Sequence, residues 1–391
     1  MSSTRSALRS RLIFMAFSVA CLAPFATGAL IGADAGGEDS LFKELSVLSE
    51  VLTLIQRTYV DETSIGDLLA GALEGATDAL DPLSTFVPAE HAATYAETLR
   101  VGSSVSGLVV AKDRGIAYVV AAVDGGPAAA QGVRPGDVIA AVDGASTRAM
   151  PLWRLQGVLA GPPGTELALE LLRNGQEVRA RLTLERFAPP PPSLSRSEGV
   201  AVLRIPRFDD AVAGEARDLV APLRGTEERL VVDLRGTAGG RPEAAYELAR
   251  LFTTGRLGSL RARDEELGAF DSDLPPLWEG EIAVVVDGGT QGPAEILATV
   301  LKQAAAAILV GEPTFGLAGR QGFVDLPSGG RVVMIDAYFA GPDGLPIDHR
   351  IRPDEVVRKS FSAVQDDDAE RGDPLLERAV EMLERAAAKA A

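Results

Sequence analysis

The sequence predicts an α/β body that carries an inserted β-rich module and follows a helical segment. Three observations lead there. Beyond residue 199, almost wholly apolar runs alternate with amphipathic helical runs, the pattern of a sheet buried on both faces. Between residues 100 and 187 the runs are short or alternating and are punctuated by Gly, Pro, Asp and Asn, as in a small β module. Leu41, Leu45, Leu48, Leu52 and Ile55 recur at three-to-four spacing and form one helical stripe.

Taken in order, residues 1–37 open with Arg5, Arg9 and Arg11 ahead of an uncharged run from Leu12 to Ala33. A basic flank before a run of this length reads as an export signal or an uncleaved anchor, with the remainder of the protein outside the cytoplasm. Ala33-Asp34-Ala35 is a small-x-small cleavage site. Cys21 sits in a poor lipoprotein box, because Ser18 is the wrong residue three positions before it. Residues 38–99 read as helical until Asp81-Pro82, in "DPLSTF", breaks the pattern. Residues 100–187 are the β module. "APPPPS" at 188–193 is a semi-rigid connector into the body, residues 188–360. There "GVAVLRIP", "RLVVDLRG", "EIAVVVDGG", "AILVGEP" and "GRVVMIDAYF" read as strands, and "RPEAAYELARLF" and "PAEILATVLKQAAA" as helices. Residues 361–391 combine an acidic linker with a closing helix, "DPLLERAVEMLERAAAKAA".

Composition narrows the function. Of 391 residues, 46% are hydrophobic, enough for two or three packed domains. A net charge of −17 leaves no basic footprint for a phosphate backbone, so no nucleic acid is expected as a partner. One cysteine and two histidines, His91 and His349, exclude a disulfide and argue against a thiolate or His-rich metal site. No metal or cofactor is expected.

Two resemblances follow from particular motifs. "GGPAAAQGVRPGDVIAAVDG", residues 125–144, resembles the stretch between the middle strands of PDZ domains. Pro127 and the alanines start a short helix, Gly132 ends it, and Pro135-Gly136-Asp137 turns into the next strand. The resemblance implies a peptide groove that accepts polypeptide C-termini by strand addition, at Ser106, Gly107, Leu108, Val109 and Leu155. The order of segments from residue 38 onward resembles the C-terminal processing peptidases, exported serine peptidases with an inserted PDZ domain. "VVDLRGTAGG" matches that family's strand ending in a glycine pair, here Gly239 and Gly240, whose backbone helps form the oxyanion region. "AVVVDGGTQGPAEILATVLKQ" matches its nucleophile turn, and "ILVGEPTFGLAGRQ" the segment that supplies its catalytic lysine.

That family cleaves with a Ser–Lys dyad, in which a neutral amine takes the proton of the attacking hydroxyl. The serine precedes a glutamate by three residues, and the lysine follows "TFG", 25 residues after the serine. The glutamate is Glu295, so the resemblance places the nucleophile position on Gly292 and the lysine position on Leu317. The spacing is kept while both chemical groups are absent; Gln321, a polar residue of the family's site, is retained. Thr290, or Ser328 with His349 and Asp348, are the conceivable replacements. Of the five lysines, Lys302 lies on the helix of the turn itself, about 15 Å along it.

The expectation is therefore an exported, catalytically inactive relative of these peptidases. It would bind polypeptide C-termini or a partner protein through its PDZ groove and emptied cleft, with Gly239, Gly240 and Gly292 lining the cleft. The alternatives are an endopeptidase with a relocated nucleophile and a structural subunit of an envelope complex. The expected partners are a free C-terminus, an active peptidase or envelope complex, the membrane through the N-terminus, and a second copy of the protein.

Overall fold

A computed structural model describes residues 36–357 and 373–390. The leader with Cys21, the Ala33–Ala35 site, Lys359 and the acidic stretch 361–372 lie outside the described residues. The chain divides into two compact units, residues 1–71 and residues 72–391. In the first, helix α1 (Gly36–Thr58) carries the expected stripe, with Leu45 and Leu48 exposed and Leu52 and Ile55 half-buried. Helix α2 (Ile65–Asp78) runs into the second unit.

The helix ends before "DPLSTF", where the sequence places the break, and a short strand that the sequence did not announce follows. Asp81 accepts the Leu83 N–H and the Ser84 hydroxyl, which closes the helix break. The next three residues form strand β1 (Thr85–Val87), and α3 (Ala89–Val101) follows. The β-branched and aromatic side chains of β1 are all buried, and the strand pairs antiparallel with a body strand.

The β module comprises β2 (Leu108–Asp113), β3 (Ile116–Ala122), α4 (Pro127–Ala130), β4 (Val138–Val142), β5 (Ala145–Ser146), α5 (Leu152–Leu159), β6 (Glu166–Arg173) and β7 (Gln176–Thr183). Its strands pair in the order β2–β3–β4–β6–β7, with β5 beside β4, so β2 is an edge strand, covered at its far end where the Lys112 N–H is donated to the Pro82 carbonyl at 2.9 Å. The inward residues of the alternating strands, among them Val119, Ile139, Leu169 and Leu182, pack with Leu152 and Leu155 of α5 as one core. Gly136 takes φ +87° in the Pro135-Gly136-Asp137 turn, as that turn requires.

The body begins at β8 (Ser193–Ser197) and β9 (Val200–Arg204), followed by α6 (Val212–Val220), β10 (Arg229–Asp233), α7 (Pro242–Ala249), β11 (Gly255–Arg261) and β12 (Glu266–Ser272). Then come β13 (Glu281–Val286), α8 (Pro293–Ala304), β14 (Ile308–Gly311), β15 (Gly319–Asp325), β16 (Arg331–Ala340), β17 (Glu355–Val356) and α9 (Pro374–Ala390). One sheet runs β17–β14–β13–β10–β9–β8, parallel except at β8. Successive side chains of β10 point to opposite faces. Leu230 and Val232 pack under α6, α7 and α8, while Val231 packs against Leu375, Ala379 and Leu383 of α9. Both faces are covered, which is why these strands read as continuous apolar runs. A second, antiparallel sheet runs β1–β16–β11–β12, with β15 also on β16.

A charge network links the β module, the sheet and α9. Arg204 pairs with Asp124 of the module at 2.7 Å and donates to the Asp233 carbonyl at 3.2 Å. Arg235 binds both carboxylate oxygens of Asp233 and also pairs with Asp373, which caps α9. Burial alone would raise the Asp233 carboxyl, but Arg235 and Arg204 outweigh it and hold the group below its ordinary value. A depressed carboxylate contributes stability that is present above its unfolded pKa and is lost as pH falls through the folded value. Asp233→Asn should therefore cost about 2 kcal/mol at neutral pH and flatten the acid limb of the stability curve, read by urea unfolding across pH.

The β module also rests on the body through Gly289. A Cβ there would lie 2.9 Å from Pro135 Cγ and 3.0 Å from the Val120 carbonyl oxygen and from Gly236 Cα. Gly289→Ala should push the module off the turn and crowd Gly236 of the body, with faster proteolysis at the 188–193 connector and a lowered melting temperature as the readouts.

Candidate active-site cleft

The cleft is built around the turn that joins β13 to α8. Asp287 organises that turn: its Oδ1 accepts the N–H groups of Gly236 (2.9 Å) and Gly289 (3.0 Å). Thr290 is fully buried. Its hydroxyl accepts the Asp287 N–H and donates to the Leu234 carbonyl, both at 3.0 Å, so it is consumed by the turn and does not face the cleft.

Gly292 stands at φ +62° and ψ −114°, directly before Pro293 at the first position of α8. This is the sharp strand-to-helix geometry that presents a nucleophile at the head of a helix. It strains any residue with a Cβ, and glycine relieves the strain. An ideal Cβ at this position meets nothing within 4 Å. The place for a side chain is open.

Glu295 ties together the two positions where the sequence led one to expect a dyad. Its buried carboxylate accepts the Gly292 N–H (3.1 Å), the Leu317 N–H (3.1 Å), the Gly316 N–H (2.6 Å) and the Thr314 hydroxyl (2.5 Å). Burial pushes this carboxyl above its ordinary value, while the four donors pull it back. Gly292 and Leu317, 25 residues apart in sequence, are thus bound to one side chain. Leu317 itself is buried.

One cleft of about 510 Å³ passes from this turn to the β2 edge of the β module. Its walls include Leu108 and Val109 on β2, Gly239 and Gly240 after β10, Gly292, and Gln321 on β15, whose amide donates to the Leu83 carbonyl at 3.0 Å. The other groove residues stand behind this wall. Ser106 and Leu155 are fully buried within the module, and the Gly107 N–H is donated to Ser103 at 2.8 Å. The Ser106 hydroxyl accepts the Leu108 N–H at 3.3 Å.

The other candidate groups do not assemble. Ser328 lies in the turn between β15 and β16, whereas His349, paired with Asp348 at 2.7 Å, follows the far end of β16. That ten-residue strand spans about 30 Å. Lys302 pairs with Asp354 at 2.7 Å, and Lys112 donates to the Met150 carbonyl at 2.7 Å. Among the described residues, no lysine lines the cleft.

Sequence reasoning missed Gln291. Its Oε1 accepts the Gly239 N–H at 3.2 Å and its Nε2 donates to the Leu317 carbonyl at 3.1 Å. A glutamine beside Gly292 carries no motif. Its role depends on two walls that meet only in the fold.

The profile of peptidase family S41 matches residues 199–357, and a PDZ profile matches residues 118–173. The S41 match takes in most of the body. The protein is 26% identical, over 336 residues, to the carboxy-terminal-processing protease of Bartonella bacilliformis, covering 82% of this chain and 77% of that protein. It is 30% identical, over 260 residues, to the chloroplastic carboxyl-terminal-processing peptidase 2 of Arabidopsis thaliana, covering 62% of this chain and half of that protein. A solved photosystem II D1 C-terminal processing protease shares the fold, with a TM-score of 0.64 at 24% identity over 79% of this chain and 91% of that one. The S41 body and its PDZ domain are therefore those expected from the order of motifs.

Proposed function

We propose that this S41 relative is catalytically silent and holds polypeptide C-termini, or a partner that presents one, in the cleft between its PDZ edge and the emptied turn. One observation carries the reading. The two positions that the family resemblance assigns to the nucleophile and its base are Gly292 and Leu317, anchored to the same Glu295 carboxylate. Glycine offers no nucleophile and leucine no base, while the turn, the glycine pair and the β2 edge stay in place. A peptidase scaffold in that state retains sites for binding and has no group to form an acyl-enzyme.

The basic flank at Arg5, Arg9 and Arg11 and the apolar run after it support export, with periplasmic placement by cleavage or anchoring. The role is then that of an adaptor or regulator of an active peptidase or an envelope complex. An assembly role is favoured by one feature, the exposure of Phe42, Leu45 and Leu54 on α1.

Fluorescence anisotropy with an apolar decapeptide tests the binding half of the reading. A free C-terminus should bind saturably, and an amidated one more weakly. Binding of neither, by protein with a cooperative melt, would rule the groove out.

A further inference from the structure

Gln291 bridges two walls of the cleft with a single amide. Gly239, on one wall, follows β10; Leu317, on the other, leads into β15. A primary amide carries the same acceptor and donor as a main-chain peptide unit. The N–H of Gly239 and the C=O of Leu317 are therefore spaced and directed so that one peptide-like group satisfies both.

We infer that the gap between the Gly239 N–H and the Leu317 C=O is a main-chain recognition subsite for an extended polypeptide, which the Gln291 side chain fills until that polypeptide displaces it. The inference rests on the proposed peptide-holding function and adds where the backbone is read. Three further observations support it. The Gln291 main chain is pinned separately, its N–H donated to the Thr237 carbonyl at 3.0 Å, so the amide group can leave without moving the turn. Next to it, the position of a Gly292 Cβ is open space. β15, whose one sheet partner among the described residues is β16, begins two residues after Leu317 and puts Gly319, Arg320 and Gln321 on the cleft wall. An extended polypeptide in the gap would continue along that strand. Recognition here reads no side chain of the ligand, so it suits tails of varied sequence.

Displacement exchanges two hydrogen bonds for two, and the penalty on binding is the work of releasing the glutamine. Removing that amide should tighten peptide binding about tenfold, since two modest net hydrogen bonds no longer have to be broken. The probe is a fluorescein-labelled decapeptide of alternating Ala and Val with a free C-terminus, titrated into the full-length protein and into Gln291→Ala. Exchange of the Gly239 amide proton is followed by NMR. The expected result is about tenfold tighter binding by Gln291→Ala. The Gly239 amide should be protected in the wild type, unprotected in the free variant, and protected again once peptide is added. Gln291→Asn, one methylene too short to span both walls, should behave alike and serves if the alanine variant misfolds. Equal or weaker binding by folded variants, with Gly239 still exchanging, overturns this inference alone. Absence of binding by wild type and variants alike overturns the proposed function and this subsite with it.

Discussion

Gly292→Ser combined with Leu317→Lys is expected to hydrolyse a fluorogenic peptide at least about 10²-fold faster than the wild type. Loss of a nucleophile costs about 10⁶ in turnover in a serine peptidase, so even a poorly placed dyad should register. The open space at the Gly292 Cβ position admits the hydroxyl. The buried setting of Leu317 favours the neutral amine that a base must supply. Each single change should give nothing, because a hydroxyl without its base and an amine without its nucleophile are both inert. The serine should also lower stability by about 1–3 kcal/mol, since φ +62° suits glycine. A folded double variant with no activity would show that the cleft departs from a working peptidase in more than these two side chains.

Glu295→Ala is expected to cost about 4 kcal/mol and to lower the melting temperature by about 10 °C. The change strands three backbone N–H groups and the Thr314 hydroxyl in a buried site, where each unmet donor costs about 1–3 kcal/mol and the terms do not add fully. Calorimetry reads the loss. A shift of about 1 °C would mean that Glu295 does not hold the Gly292 turn against the Leu317 segment.

The sequence carried the buried parallel strands and the glycine-rich turns, because burial on both faces and glycine geometry leave residue-level marks. It did not reveal β8, β12 or β15, whose largely exposed residues resemble loops until a partner strand is present, or β11, whose buried centre Leu257–Ser259 is too short and glycine-broken to show a period. Thr85–Val87 was hidden for a different reason. Three residues are too few to show a period, and their partner Val333 lies almost 250 positions away. Glu295 served as a spacing marker, yet its four donors come from residues 292 to 317 and meet only after folding. Gln291 has the same dependence, since neither Gly239 nor Leu317 is its neighbour in sequence.

The central proposal is that this S41-like body holds polypeptide and does not cut it. Mass spectrometry of an apolar-tailed peptide and of casein, incubated with the purified wild type, tests it most directly. Both substrates should remain intact while the peptide binds. Cleavage that persists in Gly292→Ala and disappears in Thr290→Val or Ser328→Ala would contradict the claim and establish a relocated nucleophile.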